Sequence, residues 1–381
     1  MEVETPVQQP CTNADDAKRR GQGAAGGGGR PYSRNLLLVV INFFLMVVGT
    51  AGGPLLLRAY FLYGGERKWL SSLLQTAGFP LLLAPLYASF LSRRRRDGKA
   101  AAPLVLMSPR LLAAAAGIGL MTGLDDLLYA YGMAYLPVST SSILISTQLA
   151  FTAGFALLLV RQRFTAFSVN AVVLLTVGAA MLGMNAGGDR PAGETRAQYG
   201  AGFAMTLGAA ALFGLVLPAM ELSQARHAAR AGEAAVCYTL VMEMQLVIGV
   251  AATAFSAVGM LVNNDFRAIP REAREFGLGR SGYYLLLAGS AAMYQCFFLG
   301  TIGAIFYGSA LLAGVIMTVL IPVTEVLAVM FFHEPFNGTK GVALVLSLWG
   351  FVSYFYGELQ TSKARRRPDS GKPRNTEHLD P

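Results

Sequence analysis

Charge is what this sequence has least of. Only 14% of its 381 residues are Asp, Glu, Lys or Arg, while 54% are apolar and the mean hydropathy is +0.47. Soluble domains carry about 25% charged residues. So few charges cannot coat a water-facing surface, which excludes a soluble enzyme, and so much apolar side chain excludes disorder of the whole chain. The scarcity is regional: no Lys or Arg occurs between Leu111 and Val160, nor between Ser281 and Thr339. Histidine is almost missing, and His227, His333 and His378 stand far apart. No metal or acid–base cluster is therefore legible, and neither metal nor cofactor is expected. Cys11, Cys237 and Cys296 form no even disulfide set and no Cys-x-x-Cys pair. The N-terminus lacks the basic-then-apolar pattern of a secretory signal. Residues 1–34, polar and Gly/Ala-rich, read instead as a disordered cytosolic tail, as do the basic residues 361–381.

What is present is apolar sequence in lengths that cross a bilayer, about 20 residues each. Ten stretches qualify: Asn35–Leu57, Leu70–Leu91, Leu111–Tyr135, Val138–Val160, Phe167–Asn185, Gly200–Leu222, Val236–Met260, Gly282–Ile302, Ile305–Phe332 and Gly341–Leu359. The expectation is an all-α membrane protein with ten transmembrane helices. Leu136-Pro137 separates the third from the fourth, and a glycine-containing link near Gly303 separates the eighth from the ninth.

The net charge of +9 does not call for nucleic acid. Runs such as Arg93–Arg96 and Arg365–Arg367 each adjoin an apolar stretch, as expected when basic loops stay inside and meet anionic lipid. With the N-terminus inside and ten crossings, 21 of the 31 basic residues fall on the inner side. Both termini then face the cytosol. A shift of 172 residues lays Gln162-Arg163-Phe164-Thr165 on Glu334-Pro335-Phe336-Asn337, and Val177-Gly178 on Trp349-Gly350. Residues 35–190 and 191–360 would thus be two five-helix repeats. Five being odd, they enter the membrane with opposite orientation, the architecture of secondary transporters.

Polar side chains in such segments are costly unless partnered, so they point to where the work is done. They are Gln75 in the second segment, Asp125, Asp126, Tyr129 and Tyr131 in the third, and Ser139–Ser142 with Ser146, Thr147 and Gln148 in the fourth. The seventh carries Glu243 and Gln245, the eighth Tyr294 and Gln295, and the ninth Thr318 and Glu325. Each has a structural alternative. Hydroxyls bond back to their own backbone and amides join helices, and Glu325 could satisfy backbone groups freed by Pro322. Asp125 and Glu243 differ, because a carboxylate at that depth needs a cation, a wet cavity or a proton, and the segments hold no Lys or Arg. That same lack argues against an anionic cargo, which would need cations in the cavity. Amides, carboxyls and tyrosines suit a neutral or weakly basic planar ring.

These residues lie in strings that resemble the plant purine permeases of the drug/metabolite transporter superfamily. The strings are Gly64-Gly65-Glu66-Arg67-Lys68-Trp69-Leu70-Ser71-Ser72, Leu74-Gln75-Thr76-Ala77-Gly78, Leu128-Tyr129-Ala130-Tyr131-Gly132, Tyr135-Leu136-Pro137-Val138-Ser139-Thr140, Ser146-Thr147-Gln148-Leu149-Ala150-Phe151, Tyr238-Thr239-Leu240-Val241-Met242-Glu243-Met244-Gln245 and Ser347-Leu348-Trp349-Gly350-Phe351. The resemblance implies a ten-helix inverted-repeat fold and proton-coupled import, by alternating access, of adenine, cytokinins and related purines or alkaloids such as caffeine. Asp125 matches an acidic position of the family's third helix, whereas Asp126 stands where the family often has Asn, and Phe79 replaces a frequent Trp.

The expected substrate contacts are Gln75, Asp125, Tyr129, Gln148, Gln245 and Gln295, with Asp126, Thr147, Tyr294 and Glu325 as secondary candidates and Glu243 or Asp125 as the proton carrier. The expected partners are a small purine-type molecule, protons, the lipid bilayer (of the plasma membrane) and a second copy of the chain in a homodimer. A carrier of another ring compound such as pyridoxine is the nearest alternative, and a membrane-embedded enzyme a more distant one.

Overall fold

The structure is a computed structural model that describes residues 31–97, 105–160, 166–184, 195–231, 237–307, 317, 320, 324, 327–333 and 336–366. Every element among these residues is helical. In chain order they are α1 Pro31–Leu62, α2 Lys68–Thr76, a 3-10 turn Phe79–Leu82, α3 Leu83–Asp97, α4 Pro109–Tyr135, α5 Val138–Ser146 and α6 Gln148–Val160. There follow α7 Ala166–Met184, α8 Arg196–Ala231, α9 Tyr238–Val262, α10 Asp265–Glu275, α11 Gly279–Tyr307 and α12 Gly338–Arg366.

Seven stretches are long and apolar enough to cross a membrane: 37–62, 68–95, 109–135, 196–230, 238–262, 279–306 and 338–357. Their outward faces carry Phe44, Leu120, Val258, Leu285 and Trp349 exposed, large side chains that in water would be a liability and in lipid are the solvent-matched surface. The chain is an all-α, multi-pass membrane protein.

Several expected boundaries move for local reasons. The second apolar stretch is interrupted where Gly78 precedes Pro80, and the backbone passes through the 3-10 turn before resuming as α3. The fourth splits at Thr147, whose hydroxyl turns back to Leu144 O at 2.7 Å while Ser146 Oγ does the same to Ile143 O at 2.6 Å. These hydroxyls compete with the helix ladder and let α5 end and α6 begin. The link expected near Gly303 is not a break, since α11 runs unbroken through it to Tyr307. The link after the seventh stretch contains the helix α10, entered from Asn264 at φ 59°, a left-handed position that asparagine tolerates. The α4 start is as the residues dictate, with Ser108 as N-cap and Pro109 at the first helical position. Most of the ninth stretch lies outside the described residues, as do Gln162–Thr165 and Glu334-Pro335 of the internal match.

Helices pack as α1 on α11, α4 on α8, α7 on α12, α4 on α9, and α2 on both α9 and α11. At the tightest crossings glycine permits the approach. A Cβ on Gly178 of α7 would sit 3.4 Å from Ala343 O of α12, and one on Gly350 of α12 would sit 3.2 Å from Ala171 O of α7. Adding 172 to 178 and 171 gives 350 and 343, so the two contacts exchange under the sequence shift. The α4–α8 and α1–α11 crossings are tighter still, but their contact residues do not exchange under that shift. Gly132 meets Thr206 and Gly202, and Gly300 meets Met46 and Asn42, with no room for a side chain at either glycine.

Candidate functional site

One cavity of about 140 Å³ lies inside the bundle, bounded by residues of α1, α2, α4, α5, α6, α8 and α11 together with Met317 and Thr324. Since roughly 10–15 Å³ on this scale admits one water, it has room for a small ligand. Helix α1 contributes Gly49, Thr50 and Pro54, α2 contributes Gln75, and α4 contributes Asp125, Asp126 and Tyr129. Ser146, Gln148 and Thr152 come from the broken α5–α6 segment, Phe213 and Leu217 from α8, and Tyr294, Phe297 and Phe298 from α11.

The lining follows from how each helix is placed. Asp125 and Tyr129 are four apart on α4 and share a face. The break at Thr147 lets both Ser146 and Gln148 reach the cavity, while Thr147 itself is buried and spends its hydroxyl on the backbone. Gln75 donates its Nε2–H to Asp126 O at 2.8 Å, fixing its amide oxygen as the free end. Phe213 and Phe297 lie with ring centroids 6.0 Å apart, an aromatic wall that a planar ring could meet face-on.

Electrostatically the cavity is one-sided. Asp125 and Asp126 are 7% and 3% exposed, and among the described residues no basic side chain lines the cavity and neither aspartate has a cation at ion-pair distance. Asp126 Oδ2, Tyr294 OH and Thr152 Oγ1 are buried with no hydrogen-bond partner. Three unsatisfied polar atoms around one cavity are costly when empty, and a ligand with both donors and acceptors satisfies them. Adjacent carboxylates that repel each other and have lost their hydration are relieved by a proton or by N–H donors.

Thus Gln75, Asp125, Asp126, Tyr129, Gln148 and Tyr294 are brought together. Gln245, Gln295 and Glu243 are not. Gln295 is next to Tyr294 and so points about 100° away around α11; its side chain lies against Gly78, and its Nε2 has no partner. Gln245 is buried on α9 outside the cavity. Glu243 stands in the first turns of α9, accepts from Leu106 N at 2.7 Å and faces Arg93 at 3.9 Å. The expectation that it lacks a cation fails, because the loop preceding α4 and the basic end of α3 fold back over it. The segments are not free of arginine either. Arg58 belongs to α1 and is buried, donating Nη1–H to Met133 O at 2.9 Å. Glu325 lies outside the described residues.

Hydropathy alone does not mark Phe213, Phe297, Phe298 or Met317, which look like lipid-facing side chains. Thr50 and Thr152 were visible as isolated hydroxyls in apolar runs.

Residues 37–364 match a family described as purine nucleobase transmembrane transport. Among relatives from Arabidopsis thaliana, Purine permease 3 is 48% identical over 330 residues, covering 86% of this chain and 93% of that protein. Purine permease 2 is 47% identical over 334 residues, covering 84% and 92%. Probable purine permease 5 is 34% identical over 316 residues, covering 83% and 84%.

Proposed function

The chain belongs to the purine permease family, a family of transporters rather than enzymes, and we propose that it imports purine bases and their derivatives by proton-coupled alternating access. One observation carries the reading: a cavity within the bundle lined by two cation-free carboxyls, two amides and two tyrosines, with no basic side chain. A purine ring offers N–H donors to Asp125 or Asp126, ring nitrogens to the Tyr129 and Tyr294 hydroxyls, and a π-face to Phe213 and Phe297. Adenine, cytokinins and caffeine-like alkaloids share that planar ring, and the cavity's apolar wall by Phe298 and Met317 would take their substituents.

The proton belongs on the Asp125–Asp126 pair. Loading it neutralises a charge that would otherwise cross low-dielectric protein, and it is released when the cavity faces the cytosol. Importing one proton down 100 mV, inside negative, is worth about 2.3 kcal/mol, roughly a fiftyfold accumulation of a neutral base. Glu243, already held by Leu106 N and Arg93, is the second candidate.

The reciprocal Gly178–Ala343 and Gly350–Ala171 contacts support two inverted five-helix repeats related by a pseudo-two-fold axis. An even count of ten crossings keeps both basic tails cytosolic. A plasma-membrane site and a homodimer complete the proposal.

The test is uptake of radiolabelled adenine into proteoliposomes at external pH 5.5 and 7.5, with competition by a cytokinin, caffeine, pyridoxine and a nucleotide sugar. Saturable uptake that is faster at pH 5.5, collapses with a protonophore and is competed by the purines supports the reading. Uptake blind to pH and protonophore, or competed best by pyridoxine or the nucleotide sugar, rejects it.

A further inference from the structure

A second cavity, of about 470 Å³, lies where the start of α4 meets the end of α8, far along α4 from the aspartates. Its walls include Arg110, Arg226, Arg230, His227 and Ser108, and no acidic residue. Arg226 and Arg230 are one turn apart on α8 and share a face. All three arginines are exposed, and among the described residues none has a carboxylate at ion-pair distance. His227 is 9% exposed, with its Nδ1 3.3 Å from Ser108 Oγ, and Ser108 Oγ caps α4 by accepting from Leu111 N at 3.4 Å.

Arg226 and Arg230 stand near the C-terminal end of α8, where the helix dipole favours a cation. Arg110 is the second residue of α4, where the dipole disfavours one. Three guanidinium groups and the positive end of a helix therefore face one concavity with no carboxylate among the described residues to offset them, and only the two on α8 are favoured by their own helix dipole. A basic end of a membrane helix explains basic residues in general, but it does not explain a cation placed against a helix N-terminus and two more across a cavity from it.

We infer that this cavity binds a phosphate-ester anion, held by Arg110, Arg226 and Arg230. Guanidinium forks match phosphate oxygens in pairs, and the first turn of α4 adds the attraction of a helix N-terminus. The volume exceeds what a bare phosphate fills and leaves room for an organic group on the phosphate. The stretches 109–135 and 196–230, each long and apolar enough to cross a membrane, begin and end here. A lipid headgroup and a soluble phosphomonoester thus present the same chemistry, and a bound anion ties the first turn of α4 to the last turns of α8.

The full-length protein, purified in a neutral detergent, is titrated with dioctanoyl phosphatidylinositol 4-phosphate and, separately, with ribose 5-phosphate, at 50 and 300 mM salt. At least one probe saturates, with affinity at least fivefold weaker at the higher salt. The triple variant Arg110→Gln/Arg226→Gln/Arg230→Gln binds it at least tenfold more weakly. Saturation by the lipid alone assigns a headgroup site, by ribose 5-phosphate alone a soluble-ester site, and by both a site for the shared phosphate. If the triple variant does not fold, Arg230→Gln and Arg230→Lys are compared, and the glutamine variant binds at least threefold more weakly than the lysine variant. Saturation by neither probe overturns the inference. So does triple-variant binding within twofold of the unaltered protein, or Arg230→Gln binding as well as Arg230→Lys. Binding is read without transport, so the outcome is independent of which base is carried.

Discussion

Two regions of the molecule bury carboxylates, and the fold treats them in opposite ways. At the end where α1, α2 and α10 meet, Glu272 is bonded to the Tyr60 hydroxyl and lies 3.6 Å from Arg67 Nε, while Asp265 takes Arg67 Nη1 at 3.2 Å and Asn263 Nδ2 at 3.0 Å. In the central cavity Asp125 and Asp126 have no cation at ion-pair distance among the described residues. The first arrangement is what a carboxylate needs in order to hold a structure together. The second holds nothing, and its retention in apolar surroundings makes sense as chemistry. Buried acid is therefore not one signal but two, separated by whether the protein supplies the counter-charge.

Breaking the unpaired acids is expected to have the largest effect. Asp125→Asn and Asp126→Asn each abolish proton-driven adenine accumulation, from roughly fiftyfold to about level, since an amide cannot carry a proton through the cycle. Their thermal midpoints stay level or rise, because a desolvated charge is removed. A midpoint that drops with the uptake would move the pair into the structural class and erase the contrast. Glu243→Gln sharpens it from the other side. Its carboxylate caps Leu106 N and faces Arg93, so concentrative uptake persists within about threefold while stability falls by about 1 kcal/mol. Abolished accumulation with intact exchange in that variant would return the proton to Glu243.

In the paired region the expected loss is of stability alone. Glu272→Ala leaves the Tyr60 O–H without its acceptor, though the oxygen still accepts from Arg67 N at 3.1 Å, and leaves part of the Arg67 guanidinium without a partner. Arg67 is 31% exposed and recovers some hydration, so the cost is about 1–3 kcal/mol, at the lower end of what breaking a buried pair costs. Uptake per folded molecule remains within about twofold. Circular dichroism melts and transport on the same preparation separate the two quantities.

How much of this was legible before folding depended on whether the signal was one-dimensional. The α4 span, expected from Leu111 to Tyr135 and found from Pro109 to Tyr135, is marked by hydropathy and by Ser108-Pro109, both local. The break at Thr147 and the helix α10 escaped a 20-residue window because each is shorter than it. Depth along a segment identified Asp125, Tyr129 and Gln148, but depth does not give azimuth. Tyr294 and Gln295 are equally deep, and only one lines the cavity. The aromatic wall of Phe213 and Phe297 was invisible, since lipid and ligand are both apolar. The cover over Glu243 was invisible for a different reason: Arg93 and Leu106 reach it from distant sequence.

The smallest effect concerns pH, again within the paired region. Burial pushes the Glu272 carboxyl above the usual glutamate range, and the Tyr60 hydrogen bond and Arg67 only partly pull it back. An acid that holds its proton more tightly in the folded chain than in the unfolded one stabilises the fold fully below the unfolded value. That contribution is lost as pH rises through the folded value. The melting midpoint should therefore fall slightly as pH is raised from the ordinary glutamate range toward neutrality, and Glu272→Gln should flatten that part of the profile. An ion pair held by Arg67 alone would give the reverse slope, with stability gained as the carboxyl ionises. The sign of the difference between the two profiles thus decides whether desolvation or the guanidinium governs this acid.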